Sequence, residues 1–323
     1  MPRFFYVALT AILTMMLSHT AYSEEKSLVE RLGYPADARL LIVNADDFGM
    51  NHATNVGTIK AFKAGGISSA TIMFTCPWFL DAVEFAKENP KASCGVHTVL
   101  TSEWGGYKWG PVLGQTTTPS LVDNLGHFYP DVMPLYMNAT PQEAEKEVRA
   151  QIDRALEAGL DVTHIDSHMG AMQYAPAYHE VYLKIAKDYN LPCRVAGREL
   201  MAEMKSEYLV DMADEMGLLH PDYLHMGGPE KLEETETYWK KVLSELPEGK
   251  VSELYIHCGQ MTPEMRATTA TAAQRTEDTE WFSKPETQAW LKDQGITMIS
   301  YRELRHLQRE GEPMEKVSYD AWE

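Results

Sequence analysis

Cysteine is scarce in this 323-residue chain, with only Cys76, Cys94, Cys193 and Cys258. None forms a Cys-x-x-Cys pair, so neither a thiolate zinc knot nor a dithiol redox motif is present. An even number permits disulfides in an oxidising compartment. Each cysteine, however, sits in or beside an apolar run, where a buried free thiol is the usual state, and no pairing is assigned. Basic residues are short too: 29 Lys and Arg against 47 Asp and Glu leave a net charge of −18. A phosphate backbone would repel so acidic a surface, and no basic, aromatic-interleaved stripe offsets it, which excludes a nucleic-acid partner. Long apolar runs are also lacking. The one candidate, Phe4 to Leu17, falls short of the roughly 20 residues needed to cross a bilayer. Arg3 precedes it and Ala21-Tyr22-Ser23 follows, so residues 1–23 read as a signal peptide. The expectation is an exported protein, periplasmic or secreted, with no stable membrane anchor after cleavage. Without internal repeats or a low-complexity linker, residues 24–323 are expected to form one domain.

The mature region alternates short β-rich runs with longer helical patterns, the signature of parallel strands joined by helical crossovers. The runs are Leu40 to Val43, Ala70 to Phe74, Gly95 to Val99, Val162 to Ile165, Cys193 to Val195, Leu254 to Ile256 and Ile296 to Ile299. Seven such strands suit an α/β barrel or a large sheet. Thr140-Pro141-Gln142-Glu143 opens a helix, with Thr140 as cap, Pro141 in the first position and Glu143 closing a capping box; Gly159 ends it. Further helices are expected over roughly 230–246 and from Tyr301, the last fading into a polar tail after residue 310. The stretch 102–132 has glycine, proline and aromatics but no period, and reads as a long functional loop.

In parallel α/β folds ligands sit at the carboxyl ends of the strands, so polar residues just after the apolar runs are the suspects. Asp46 and Asp47 are adjacent and would point to opposite faces of a regular strand; they share a site only if the strand breaks, for which Gly49 offers the means. Two neighbouring carboxylates favour a bound cation, although a helix-capping turn explains them equally well. Val162, Thr163 and Ile165 are β-branched, so His164 and His168 lie on a strand, about 13 Å apart at roughly 3.3 Å per residue. One ion cannot then take both. His168, at the outer end, is the ligand candidate, and His164 is expected deeper, as a hydrogen-bonded core residue. With His97 the set becomes Asp47, His97 and His168, one carboxylate and two imidazoles, which suits a divalent ion, Zn²⁺ first and Mg²⁺ or another second. His257 follows another apolar run; it reads as a proton donor, with a metal ligand or a core histidine as alternatives.

Asn44-Ala45-Asp46-Asp47-Phe48-Gly49, Gly95-Val96-His97, Asp166-Ser167-His168 and Glu253-Leu254-Tyr255-Ile256-His257 together resemble the successive motifs of the YdjC-like carbohydrate deacetylases. The closing segment Gly295 to Leu304 is similar as well, and the likeness runs from about Ala38 to Leu307. The resemblance implies a distorted parallel (β/α) barrel, a divalent metal, and hydrolysis of an acetyl group from an amino sugar in an oligosaccharide. It implies that Asp47, His97 and His168 bind the metal and that Asp46 is the general base. Two stretches depart from the family pattern. His168-Met169-Gly170 stands where further histidines usually follow, and His257-Cys258-Gly259 stands for His-Pro-Gly, which ties the expectation to deacetylation rather than to one sugar. On this reading Asp166 orients His168 or His257 from behind, unless it makes an ordinary strand-end hydrogen bond. Trp104, Tyr107 and Trp109 either stack on sugar rings or pack the loop against the barrel. Arg198 and Arg275 either bind a charged group on the substrate or pair with local acids such as Glu199 and Glu277. Self-association is left open.

Overall fold

The computed structural model describes residues 26–203 and 205–322; the expected signal peptide lies outside them. Seven strands, all parallel, build one curled sheet: β1 (Arg39–Phe48), β2 (Ser69–Ile72), β3 (Ser93–Thr98), β4 (Ile165–Ser167), β5 (Tyr223–His225), β6 (Val251–His257) and β7 (Ile296–Met298). The order is β4-β3-β2-β1-β6-β5, with β7 pairing with the start of β1. The result is a half-barrel surrounded by helices, an α/β fold of the class expected.

Strand β1 is the axis of the sheet, and its sequence shows why. It reads as a continuous apolar run because both of its faces are covered, as in parallel sheets generally. Leu41, Val43 and Ala45 belong to the larger core, while Leu40 and Ile42 alternate into a smaller one with Val251, Ile299, Tyr301 and Leu304.

Five of the expected strands form over most of their length, the run Val162 to Ile165 is a strand only from Ile165, where β4 begins, and one does not form. Cys193 to Val195 makes only an isolated bridge, Cys193 with Ile165, so the fourth apolar run has no ladder partner beyond it. The seventh strand is instead β5, whose three residues are too few to display a period. The Pro141–Glu157 helix forms with Thr140 as its cap, but the expected capping box is not closed. The Glu143 carboxylate accepts instead from the backbone N–H and hydroxyl of Ser120, tying the helix to the 102–132 loop. That loop is irregular apart from a single 3₁₀ turn at Pro119–Leu121 and the bridge between Val122 and Phe128. It is nonetheless anchored, since Glu147 accepts from the N–H groups of Val112 and Leu113. The segment after Glu310 is irregular as expected, yet it packs back on the domain. Tyr319 is buried with its hydroxyl on Glu303 and Ser300, and the Trp322 ring stacks on Phe62 and Phe85.

All four cysteines are buried free thiols. Burial pushes each of them up, with Cys94 and Cys258 at about 12, so they remain protonated and inert at neutral pH.

Candidate active site

The carboxyl ends of β1, β3, β4 and β6 meet at a cavity of 310 Å³ lined by Asp46, Asp47, His97, His168, His257, Arg194 and Arg275, among others. Ladder register sets much of this. Asp46 stands opposite His257 across β1 and β6, and His97 opposite Asp166 across β3 and β4.

The break expected in β1 falls at Asp47 itself. Its φ is +67°, Gly49 follows at +84°, and the register with β2 shifts between Ala45 and Phe48. Aspartate is one of the few non-glycine residues that adopts this left-handed backbone with any frequency, because its side chain is short and polar. The kink turns both carboxylates toward one cavity.

Each carboxylate then meets its own arginine. Asp46 takes a two-pronged ion pair from Arg194, with 2.8 Å between Oδ2 and Nη1 and 2.8 Å between Oδ1 and Nη2, and accepts a third bond from Asn44 Nδ2 at 2.8 Å. Burial works to raise its pKa, but the Arg194 charge and hydrogen bonds prevail and hold it at about 2. Arg194 also reaches Asp166 Oδ2 at 3.1 Å and Glu253 Oε1 at 2.8 Å, so one buried guanidinium serves three carboxylates. Asp47 pairs through Oδ2 with Arg275 Nη2 at 2.7 Å. Burial opposes ionisation here as well, and the Arg275 charge overcomes it, keeping this carboxyl well below the usual range.

The other oxygen of Asp47 is different. Oδ1 is buried and accepts no well-formed hydrogen bond. It lies 3.4 Å from His97 Nε2 and 3.3 Å from His168 Nδ1, and those two nitrogens are 3.1 Å apart. Atoms about 2.0–2.1 Å from a common tetrahedral centre are separated by about 3.3 Å, so this triangle has the size a divalent ion requires. The far side of each ring carries a carboxylate. Asp166 Oδ1 lies 2.6 Å from His97 Nδ1, and Glu103 Oε2 lies 2.9 Å from His168 Nε2. Burial alone would lower both imidazoles, yet Asp166 lifts His97 to about 10 and Glu103 and Asp47 lift His168 to about 9. The pocket thus demands positive charge at its centre, which protons or a metal can supply. A second grouping, Asp46, His97 and Asp166, shares His97. There Arg194 already provides the cation, so the first set is the better site for an ion.

His257 stands apart from the triangle, with Nε2 3.9 Å from Asp47 Oδ2 and its side chain 40% exposed. It lines the cavity together with Asp46, Asp47 and His97. Desolvation lowers its pKa, and Asp47 works the other way.

The remaining candidates divide. His164 is the core residue expected: it stacks on Tyr301 at 3.8 Å and reaches the site only through Asn44, whose Oδ1 lies 3.2 Å from its Nε2. Trp104 and Trp109 are buried and pack with Tyr107 at centroid separations near 6 Å. The Tyr107 hydroxyl donates to the backbone of Met50. None of the three lines the cavity; Trp104 and Trp109 are interior, while Tyr107 is half-buried, and together they pack the loop. Trp104 lies beneath Arg275, its ring centroid 5.3 Å from the guanidinium carbon. Arg198 is remote, paired on the surface with Asp211 and Asp214 rather than with Glu199. Arg275 is at the site, paired with Asp47 rather than Glu277.

Sequence reasoning passed over Arg194 and Glu103. The first could have been found: a charge inside the apolar run Cys193-Arg194-Val195 must meet a buried counter-charge. Glu103 carried no signal beyond its place at the start of the long loop.

The profile of the YdjC-like protein family matches residues 40–293. The chain belongs to the YdjC-like family. This YdjC-like protein is 31% identical over 264 residues to the carbohydrate deacetylase of Brevibacillus brevis, covering 82% of its own length and 99% of the relative's. It is 28% identical over 269 residues to that of Geobacillus stearothermophilus, covering 83% and 99%. Its fold matches the crystal structure of an Enterococcus faecalis protein described as a cellobiose-phosphate cleavage protein. That match has a TM-score of 0.71 and 27% identity, over 83% of this chain and 99% of the other.

Proposed function

We propose that this YdjC-like protein is a metal-dependent carbohydrate deacetylase that hydrolyses the N-acetyl group of an amino sugar within an oligosaccharide. The observation that carries the reading is the partnerless Asp47 Oδ1 facing His97 and His168, with Asp46 and His257 on the same cavity wall. Binding alone has no use for such a set. The names of the curated relatives agree with it.

Asp47, His97 and His168 would hold one divalent ion, Zn²⁺ being the best match to one carboxylate and two imidazoles. Bound there, the ion supplies Lewis acidity to a water and to the acetyl carbonyl. Asp166 and Glu103 accept from the outer nitrogens of His97 and His168, fixing which nitrogen of each ring faces inward. Asp46 accepts the proton of the attacking water. Arg194 and Asn44 keep Asp46 ionised and fix its carboxylate at the cavity, so it is unprotonated when the water arrives. Water oxygen bonds to the acetyl carbon, the C–N bond breaks, and His257 delivers a proton to the departing nitrogen. Desolvation lowers the His257 pKa, so the ring rests neutral near pH 7, takes up the proton that the attacking water releases through Asp46, and is then a strong acid toward the nitrogen. The products are acetate and a free amine.

The test is acetate release from a panel of acetylated oligosaccharides, N- and O-linked, with and without a chelator. Chelator-sensitive acetate from N-acetylated substrates is expected. Release only from O-acetyl esters would make the protein an esterase, and stoichiometric metal with no release at all would leave a glycan-binding protein. Export belongs to the same proposal: a mature N-terminus near Glu24 in the periplasmic or culture fraction is expected on N-terminal sequencing.

A further inference from the structure

Trp104, Tyr107 and Trp109 pack against one another and none of them lines the cavity, so the cavity's own wall supplies the surface that a sugar would meet there. Of the large apolar side chains left exposed among the described residues, three line the catalytic cavity together: Tyr174 at 49%, Met169 at 38% and Met226 at 38%. Asp46, Asp47, Glu103, Arg194 and Arg275 give the same cavity its charge.

Tyr174 is held in place rather than hanging free. Gly170 has φ +63°, and a Cβ there would come within 2.5 Å of Tyr174 Cε2, so the ring edge rests against bare backbone that no other residue type would leave. The N–H groups of Gln173 and Tyr174 both donate to the Gly170 carbonyl, and Gln173 Nε2 donates to the carbonyl of Arg194 at 2.6 Å. The turn is thereby tied to the residue that clamps Asp46. Met169 itself has φ +51°, a left-handed conformation unusual outside glycine and short polar residues. Two left-handed residues in succession, directly after His168, swing the chain so that Met169 and Tyr174 both face the cavity.

We infer that Tyr174, flanked by Met169 and Met226, is a platform for the sugar ring adjoining the acetylated one, so that the substrate is an oligosaccharide of at least two pyranose rings. The inference rests on the deacetylase reading above. A cavity of 310 Å³ is at the small end of ligand pockets, enough for the ring that reacts. The next ring lies at the rim, where a fixed, half-exposed aromatic face and two pliable thioethers match the apolar face of a pyranose.

The experiment uses N-acetylglucosamine saccharides of one, two and three rings. The full chain should favour two rings over one in kcat/KM, and Tyr174→Ala should cut that preference about 3- to 10-fold, through KM. Tyr174→Phe, which keeps the ring, should retain it. An undiminished preference in Tyr174→Ala overturns the platform, as does an equal loss on one-ring and two-ring substrates. Calorimetry on Asp46→Asn, with and without Tyr174→Ala, reads the platform apart from turnover. Two-ring affinity that depends on Tyr174 supports it, and affinity that does not overturns it. Absence of acetate from every saccharide in the wild type would instead sink the deacetylase reading.

Discussion

The site has two halves that are built differently. Asp46, Asp47, His97, Asp166 and His257 stand at strand ends or directly beside them, where the ladder places Asp46 beside His257 and His97 beside Asp166. Glu103 comes from the 102–132 loop, and Arg275 from the Ala272–Phe282 helix. The strand half is oriented by backbone hydrogen bonds that exist whether or not the site is intact. The loop and helix half is oriented by its partners: Glu103 by His168, Arg275 by Asp47 and the Trp104 ring beneath it. Damage to the first should therefore appear in folding and chemistry, and damage to the second in how tightly the site would hold the proposed ion.

The largest effect is expected where the strand half is bound together. Arg194→Met leaves Asp46, Asp166 and Glu253 without their shared cation, and the loss of folding free energy should be about 3–5 kcal/mol, read from the denaturation midpoint. Arg194→Lys should recover only part of this, because an ammonium cannot reproduce the two-pronged contact with Asp46. Next is Asp46→Asn, which should lower kcat by roughly 10²- to 10⁴-fold while metal content by elemental analysis is unchanged. Substantial activity in that variant would remove Asp46 as the base.

The two carboxylates behind the histidines put the comparison directly. Glu103→Gln should weaken metal affinity about 10- to 100-fold, measured by competition with a chromogenic chelator, with little change in the melting temperature. Asp166→Asn should weaken affinity and also destabilise the fold, since Asp166 is fully buried and shared with Arg194 and Thr71. Equal melting temperatures for the two variants would erase the distinction between the halves.

The smallest effect probes the helix that carries Arg275. One turn further on, Asp278 accepts from Trp239 Nε1 and Gln274 Nε2, and burial pushes its carboxyl up to about 6. A raised carboxyl pKa means the folded state holds the proton more tightly than the unfolded one, whose value is about 3.9. The associated stability is present below pH of about 4 and is lost as pH rises through about 6. Asp278→Asn should thus be the more stable protein at pH 8, by about 1–2 kcal/mol, with the gain disappearing near pH 4. A constant difference across that range would assign it to packing instead.

The same division explains what could be read from the sequence. Strand-end chemistry was legible because a buried parallel strand writes itself as an apolar run and the site residues follow at its end. Asp47, His97 and His168, which meet at one cavity, were read in this way, and His164 was read apart from them as a core residue. Contacts between distant elements left no such trace. Nothing in the chain announces that Arg275 meets Asp47 across 228 positions. Aromatics in an aperiodic loop do not disclose which way they face, so Trp104, Tyr107 and Trp109 read equally as sugar contacts or as loop packing, and only the structure shows the two tryptophans to be interior. Strand β5 is too short to show alternation, and Cys193 to Val195 is extended without a full ladder.

The left-handed backbone at Asp47 bears on how such a site can change over generations. Glutamate or cysteine at that position would keep a metal-binding atom, yet either would carry about 1–2 kcal/mol of backbone cost that aspartate and asparagine largely avoid. Asparagine fits the backbone but brings no negative charge to the ion or to Arg275. A lineage altering the metal preference proposed here is thus steered away from residue 47 and toward the histidines, neither of which has a positive φ. Conformation closes the route before coordination chemistry is consulted.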